Sequence, residues 1–449
     1  MEKINNIAES SNTKNVPVSI TGLSHEGRGI AHINGKTSFV EDALPGESVL
    51  VEIVKKHRQY DEAKTTAVLK RSSDRVTPKC IRYGICGACS LQHLSTDAQL
   101  KHKEKTLLEQ LAHIAGTQPN TLLSPLQASS WGYRRRARLG VKYVVKKQAV
   151  LVGFREKNGR YLAELKGCET LAPRIAQLIM PLRQLISTLK AYQSIPQIEA
   201  SLGDEDLALV FRHLAPLDNE DHTKLKVFAK EHQLQLYLQP GNESTMHCIW
   251  PEIRPKSLSY RIDLAHQPSK PLELFFEPNH FIQINAAINQ SMINRAIELL
   301  SPNFSDRILD LFCGLGNFSL PLATQCQSVI GIEGSPELVA CARENAMHNT
   351  ISNVQFYTAD LSNPISEQSW SQQRFNKLLL DPPRSGALEI IQQISSWPIE
   401  RIVYVSCNSA SLARDAGELI KQGYTLEQAG VMDMFPHTQH SEAICLFTR

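Results

Sequence analysis

Arg307-Ile-Leu-Asp-Leu-Phe-Cys-Gly-Leu-Gly316 decides the fold. The run opens as a strand that is apolar on both faces, and glycines at 314 and 316 follow where the backbone has to turn and admit a ligand. Two later runs repeat the design: Lys377-Leu-Leu-Leu-Asp-Pro-Pro-Arg384 and Arg401-Ile-Val-Tyr-Val-Ser-Cys-Asn408. Near-continuous apolar strands belong to parallel sheets covered on both sides. From about Leu274 such strands alternate with helices near residues 283–300, 317–325, 336–349, 386–396 and 409–422. The strands are Arg307–Phe312, Ser328–Glu333, Val354–Thr358, Lys377–Leu380 and Ile402–Ser406, with a closing pair at Gly423–Met434 and Ala443–Thr448. The alternation predicts an α/β, doubly wound parallel sheet whose last two strands, in tandem, leave one reversed. Ligands of such sheets sit outside the C-terminal strand ends. Cys407 is delivered there. Alone in a core strand a cysteine is a packing residue. Beside a Gly-rich turn and an Asp-Pro-Pro loop it reads as a nucleophile facing a cofactor.

With 449 residues the chain is long enough for two or three domains. Its 42% hydrophobic and 21% charged content is that of an ordinary soluble protein. The polar start, Met1-Glu-Lys-Ile-Asn-Asn-Ile-Ala-Glu-Ser10, has no signal-peptide run, and no stretch has the length and apolarity of a membrane helix. A cytoplasmic protein is expected. The net charge of +3 hides a division: from Trp131 to Glu169 eleven Lys/Arg face three acids, whereas from Ser301 to Arg449 nine face fifteen. A basic middle joined to an acidic C-terminal part points to a polyanion held by one and processed by the other.

Ten cysteines in such a chain argue against a disulfide framework. Three cluster as Cys80-Ile-Arg-Tyr-Gly-Ile-Cys86-Gly-Ala-Cys89, and Cys168, flanked by Gly167 and polar residues, is the best fourth member. Four thiolates suit a structural zinc or an iron–sulfur cluster, and the five-residue gap favours the cluster.

Residues 1–15 read as a disordered tail. Over 16–75, short strands separated by Gly/Pro turns predict a small β-barrel with a basic edge at Lys55, Lys56, Arg58, Lys70, Arg71 and Arg75. An amphipathic helix is expected over Thr96–Ala115, and residues 76–275 read as an α+β domain containing the cysteine cluster. The remainder, 276–449, is the doubly wound domain.

In that domain, Glu333 closes the second strand at a distance that suits ribose hydroxyls. Asp360, after the third strand, can accept from an adenine amino group. The glycine turn lacks a phosphate-binding G-K-[ST], so an adenosine without phosphates fits best; S-adenosylmethionine is one, and a nicotinamide cofactor is the competing reading. Asp381-Pro-Pro stiffens the loop between cofactor and substrate.

Five motifs carry a resemblance: Phe281-Ile-Gln-Ile-Asn285, Asp310-Leu-Phe-Cys-Gly-Leu-Gly-Asn317, Leu380-Asp-Pro-Pro-Arg-Ser-Gly386, Tyr404-Val-Ser-Cys-Asn408 and Phe435-Pro-His-Thr-Gln-His-Ser-Glu442. On them the chain resembles the RNA uracil-C5 methyltransferase family. His25-Glu-Gly-Arg-Gly-Ile-Ala31 and Phe39-Val-Glu-Asp-Ala-Leu-Pro-Gly-Glu47 resemble a TRAM domain, a small RNA-binding barrel. That front segment and the four cysteines are similar to the type acting on 23S rRNA; the tRNA-modifying relatives usually lack both. The resemblance implies a Rossmann-like class I methyltransferase domain. It implies S-adenosylmethionine among Gln283, Phe312, Asn317, Glu333, Asp360 and Asp381, with Cys407 as nucleophile and Glu442 as base. It implies a 4Fe–4S cluster on Cys80, Cys86, Cys89 and Cys168, 23S rRNA as partner and 5-methyluridine as product. Glu442 is expected in the loop between the last two strands. His437 and His440 are open between polarising the substrate and lying solvated.

Overall fold

In the computed structural model, which describes residues 15–157, 159–253 and 257–449, the Arg307–Leu311 run lies inside an eight-stranded sheet. The expected tail over 1–15 falls, except for Asn15, outside the described residues. From one edge the strand order is Val354–Thr358, Ser328–Glu333, Arg307–Leu311, Lys377–Leu380, Arg401–Ser406, Glu442–Thr448, Thr425–Met432 and Thr121–Leu122. The first five run parallel, and Glu442–Thr448 is the one reversed strand, antiparallel to both its neighbours. This is a Rossmann-like α/β fold.

The strands form where burial is complete. Leu378, Leu379 and Leu380 and the Ile402-Val403-Tyr404-Val405 run are inaccessible to solvent or nearly so. Helix Ala286–Leu300 turns Ile288, Met292, Ile293 and Ala296 into the same apolar cluster. The hairpin of Leu258–Ile262 and Leu272–Phe276 contributes Tyr260, Leu274 and Phe276 to it. Polar caps set the helix starts. Asn285, Ser335 and Asn408 each accept a backbone N–H of the helix that follows, satisfying a donor that would otherwise be orphaned.

Some boundaries differ from expectation. The helix expected over 317–325 is only Ser319–Ala323. The one expected over 386–396 is Leu388–Gln393, because Pro383 and Gly386 close a turn and Gly386 has φ +86°, which no helix tolerates. Thr96–Gln110 is α-helical, but its last turn, Leu111–Ala115, widens to a π-helix. Glu442 is not in the loop. It pairs with Met432 as the first residue of the last strand. The apolar run begins only at Ala443, so a buried carboxyl in front of it reads as loop.

A second six-stranded sheet, ordered His247–Trp250, Gln235–Gln239, Leu207–Arg212, Gln197–Leu202, Arg136–Val144 and Ala149–Gly153, occupies the middle of the chain. Helix Asn219–Glu231 supplies Leu225 and Phe228 to its core. The described residues fall into two compact units. One holds the chain up to Gly84 with Cys89–His102 and His437–Gln439; the other holds Ile85–Ala88, Lys103–Pro436 and His440–Arg449. In the first, six strands between Val16 and Lys70 enclose Ile20, Ala31, Val40, Val49, Val51 and Ala63. Among the described residues no helix is long and apolar enough to cross a membrane.

Candidate active site

At the C-terminal ends of the parallel strands a cleft of about 700 Å3 opens. Its walls contain Gln283, Phe312, Asn317, Glu333, Asp360, Asp381, Cys407 and Glu442, all eight of the cofactor and catalytic residues read from the sequence. Its volume is that of a small-molecule site.

The cofactor end is built on strained backbone. Phe312 follows its strand with φ +66°, and Gly314 and Gly316 continue at +56° and +95°. A non-glycine residue held at positive φ needs its surroundings to hold it there. Gly314 faces open space, with nothing within 4 Å of where a Cβ would stand, whereas a Cβ on Gly316 would meet Leu320 at 3.1 Å. The turn is therefore open on one side and packed on the other. Glu333 fastens it, accepting the Gly314 N–H at 3.1 Å and the Ser335 N–H at 3.0 Å. A carboxylate has about four acceptor positions, so both oxygens can still take ribose hydroxyls. Asp360 is exposed, and its carboxyl accepts from the Ser362 hydroxyl at 2.6 Å and from Asn363 at 3.0 Å. The bonds from Ser362 hold it below the usual carboxylate range.

Sequence reasoning missed the residues that orient Asn317. Its amide and that of Asn289 exchange hydrogen bonds at 2.9 and 3.0 Å, and the Tyr260 hydroxyl donates to its Oδ1 at 2.8 Å. A polar Asn289 on an otherwise apolar helix face was the available signal. Arg135 stacks over the Tyr260 ring at 4.6 Å and donates to the Gln283 carbonyl at 2.9 Å.

The opposite end holds the two residues expected to be catalytic, Cys407 and Glu442. Cys407 directly follows its strand, between Ser406 and the cap residue Asn408, whose side-chain amide donates to the Arg384 carbonyl at 3.0 Å and so ties the Asp-Pro-Pro-Arg loop to the cysteine. Burial pushes the Cys407 thiol up to about 11; the charges of Glu442 and Asp381 add to this and Arg384 opposes it. Burial likewise raises the Glu442 carboxyl to about 8, reinforced by Asp381 and countered by Arg384 and Lys103. Asp381 rises to about 7 through burial. Two carboxyls and a thiol that share one low-dielectric cleft cannot all carry charge. His440 lies against Arg384 at 3.4 Å, and burial with the neighbouring cations lowers its pKa. His437, φ +65°, is buried in the other unit, where the Gln99 side chain accepts its N–H at 2.8 Å. Neither histidine is a solvated loop residue.

The four cysteines are divided between the two units. Cys86 is buried and lies in a segment bonded to Arg155 and Lys157. Cys168 packs against the apolar cluster that includes Cys86, its Sγ 3.3 Å from the Thr170 hydroxyl. Cys80 and Cys89 belong to a loop of the first unit closed by Tyr83, whose hydroxyl donates to the Ser90 carbonyl at 2.7 Å. Among the described residues no group of three His, Cys, Asp or Glu side chains is gathered to hold a metal ion.

The basic positions divide in two. Arg135 is buried, and Arg136 donates to the carbonyls of His280 and Asn279, so both serve the fold. Arg75 is engaged by the buried carboxylate of Glu47 at 2.5 Å. Lys55, Lys56, Arg58, Lys70 and Arg71 are exposed.

A tRNA (Uracil-5-)-methyltransferase family model matches residues 268–449, and a TRAM domain model matches residues 10–66. The chain is 49% identical over 432 residues to a 23S rRNA (uracil(1939)-C(5))-methyltransferase of Nitrosococcus oceani, covering 96% of this chain and 95% of that protein. The same-named protein of Francisella tularensis is 48% identical over 436 residues, with 96% of each chain covered. Among solved structures, the Pyrococcus abyssi tRNA (uracil-54, C5)-methyltransferase in complex with S-adenosyl-L-homocysteine aligns with a TM-score of 0.73 at 22% identity, over 96% of this chain and 100% of that one. Nearly half identical to such proteins along almost its whole length, with the expected residues gathered in one cleft, the chain belongs to the RNA uracil-C5 methyltransferase family.

Proposed function

We propose that this protein methylates C5 of a uracil in 23S rRNA, at position 1939 as its relatives' names state, using S-adenosylmethionine. The observation that carries the reading is the cleft in which a cofactor turn, Cys407 and Glu442 meet. Glu333 and Asp360 suit a ribose and an adenine, and Asn317, Gln283 and Phe312 complete the walls around them. When bound, the cofactor supplies a methyl group on a positively charged sulfur.

Uracil C5 is too weak a nucleophile to take that methyl unaided. As its thiolate, its proton lost to solvent, Cys407 adds through Sγ to C6, which breaks the C5–C6 π bond and places the electron pair on C5. Once C5 is methylated, its proton has to leave so that the Sγ–C6 bond can break. Glu442 accepts it, and a carboxyl near 8 is well matched to receiving a proton at neutral pH. Asp381 and Arg384 line the same cleft and act on both groups with opposite charge. The target base has to leave its stack to reach a cleft at the strand ends. The TRAM domain and its exposed cations supply RNA contact.

A four-iron cluster on Cys80, Cys86, Cys89 and Cys168 belongs to this reading, as a clip and not a participant, since the methylation is redox-neutral. Its support is the thiolate donor set of the C-x5-C-x2-C run together with Cys168. Anaerobic protein is expected to contain iron and sulfide, which Cys168→Ser makes labile and Cys248→Ser leaves intact.

The experiment for the whole reading offers rRNA and tRNA transcripts with labelled S-adenosylmethionine and maps the product. Glu442→Gln is expected to trap an RNA–protein adduct that survives denaturing electrophoresis and disappears when Cys407 is also replaced. Label confined to tRNA, or no adduct and wild-type turnover in Glu442→Gln, would overturn it.

A further inference from the structure

Lys103 lies in helix Thr96–Gln110 with 2% of its surface exposed. Lysines are almost never this buried unless paired. Its ammonium donates to Asp433 Oδ1 at 2.7 Å and to the Phe435 carbonyl at 3.1 Å. Both acceptors lie in the connection that runs from strand Thr425–Met432 to Glu442. The start of this segment is also held by Tyr133, whose hydroxyl donates to the Pro436 carbonyl at 3.1 Å, and by the Asp433 N–H, which donates to the Leu126 carbonyl at 2.8 Å. Met432, immediately before Asp433, is the register partner of Glu442. The turn that Lys103 grips is therefore the one from which the Glu442 strand starts.

Stability is a poor reason for this arrangement. Two charges removed from water regain little, and apolar pairs of similar volume often do as well or better. A charge kept at that cost beside a cleft carboxylate calls for another role. We propose that Lys103 is a positioning residue for Glu442, fixing the turn that carries it and setting a positive charge near its carboxylate. The proposal rests on Glu442 being the base.

Four groups face Glu442. Asp381 and a Cys407 thiolate oppose its ionisation; Arg384 and Lys103 favour it. The influence is mutual, since Glu442 and Asp433 both favour the Lys103 ammonium against its burial. Arg384 is exposed and its field is damped by water and salt, whereas Lys103 acts from inside the protein. Asp433 offsets part of that charge, so the effect is smaller than a bare ammonium would give. His440 is a poor source of that charge, because burial, together with Arg384, Lys103 and Arg134, lowers its pKa.

The test is decay of the RNA–protein adduct against pH, in single turnover with the full chain and an rRNA fragment. Lys103→Gln with Asp433→Asn keeps a hydrogen-bonded pair and removes both charges. The apparent pKa of decay is expected to rise by roughly one unit, the low end of what an opposite charge commands. Decay below that pKa then slows about tenfold. Lys103→Arg, which keeps the charge, is expected to stay within about twofold of wild type, equivalent to a change of at most about 0.3 in the apparent pKa. If the double variant fails to bind S-adenosylhomocysteine, Lys103→Met with Asp433→Leu decides in its place. An unchanged pH profile in the neutral pair, or an equal loss in Lys103→Arg, overturns the proposal. Glu442→Gln run in parallel separates the two readings. A lasting adduct there, with an unshifted profile in the neutral pair, sinks Lys103 alone; wild-type decay in Glu442→Gln removes the base and the proposal with it.

Discussion

Alkylation of Cys407 by iodoacetamide, followed against pH, measures the electrostatics of the substrate-free cleft directly. The reagent attacks the thiolate, so its rate follows the ionised fraction. A thiol held at about 11 is ionised to roughly one part in a thousand at pH 8, against roughly a quarter for an ordinary cysteine near 8.5. Cys407 is therefore expected to react about two orders of magnitude more slowly than glutathione at pH 8 and to accelerate about tenfold for each step of one in pH until near pH 11. The neighbours set the sign of the variants. Glu442→Gln and Asp381→Asn each remove a charge that disfavours the thiolate and should speed alkylation; Arg384→Gln removes the opposing cation and should slow it. Moving the thiol pKa by one alters the rate about tenfold, well within the range of quenched time courses read by peptide mass spectrometry. An inflection at or below about 8.5, the ordinary thiol value, or slower alkylation in Glu442→Gln, would refute the argument. On the proposed mechanism, the consequence of that result is a Cys407 that rests as a thiol and is poorly oxidised. Arrival of the substrate, and not the resting cleft, brings it into play.

Three further outcomes follow from the same geometry. Asn289→Ala removes both bonds to the Asn317 amide and should weaken S-adenosylhomocysteine binding about tenfold, from the roughly 1–2 kcal/mol that unpartnered buried groups cost; an unchanged Kd by calorimetry would detach this pair from the cofactor. The Glu442 carboxyl, raised from its ordinary value to about 8, keeps in the fold a proton that the unfolded chain releases. Its stabilisation is complete below the ordinary carboxylate range and is lost as pH rises through about 8, so the thermal midpoint of Glu442→Gln should fall less than that of wild type between about pH 5 and 8.5; the difference in slope is at most about 1.4 kcal/mol per pH unit, and parallel curves would count against it. Reversing Lys55, Lys56 and Arg58 to glutamate should lower rRNA-fragment affinity and flatten its salt dependence by about two to three in log–log slope, measured by filter binding; an unaltered slope would move RNA contact elsewhere.

What the sequence discloses and what it withholds have different physical origins. The parallel strands are legible because burial on both faces demands unbroken apolar runs, and Ser328–Glu333, Val354–Thr358 and Lys377–Leu380 fall where those runs lie. The site is legible because strand ends, glycine turns and helix caps are local. Glu333 stands two residues before the cap Ser335, Gln283 two before Asn285, and Cys407 directly before Asn408. These three candidate residues thus stand within two positions of a helix cap, a local signal. Tyr260, Asn289 and Lys103 act across long stretches of chain, and nothing local marks a tyrosine in a hairpin as the support of an asparagine 57 residues later. Charge misleads for the same reason. Along the sequence Arg75, Arg135 and Arg136 are indistinguishable from Lys55 or Arg71, and only tertiary contacts show which guanidiniums are engaged by Glu47, Gln283, Asn279 and His280. Glu442 combines both cases. Its motif is local, but the burial and charge that fit a carboxylate for proton transfer near neutrality come with Asp381, Arg384 and Lys103, which separate parts of the chain bring to the edge of the reversed strand.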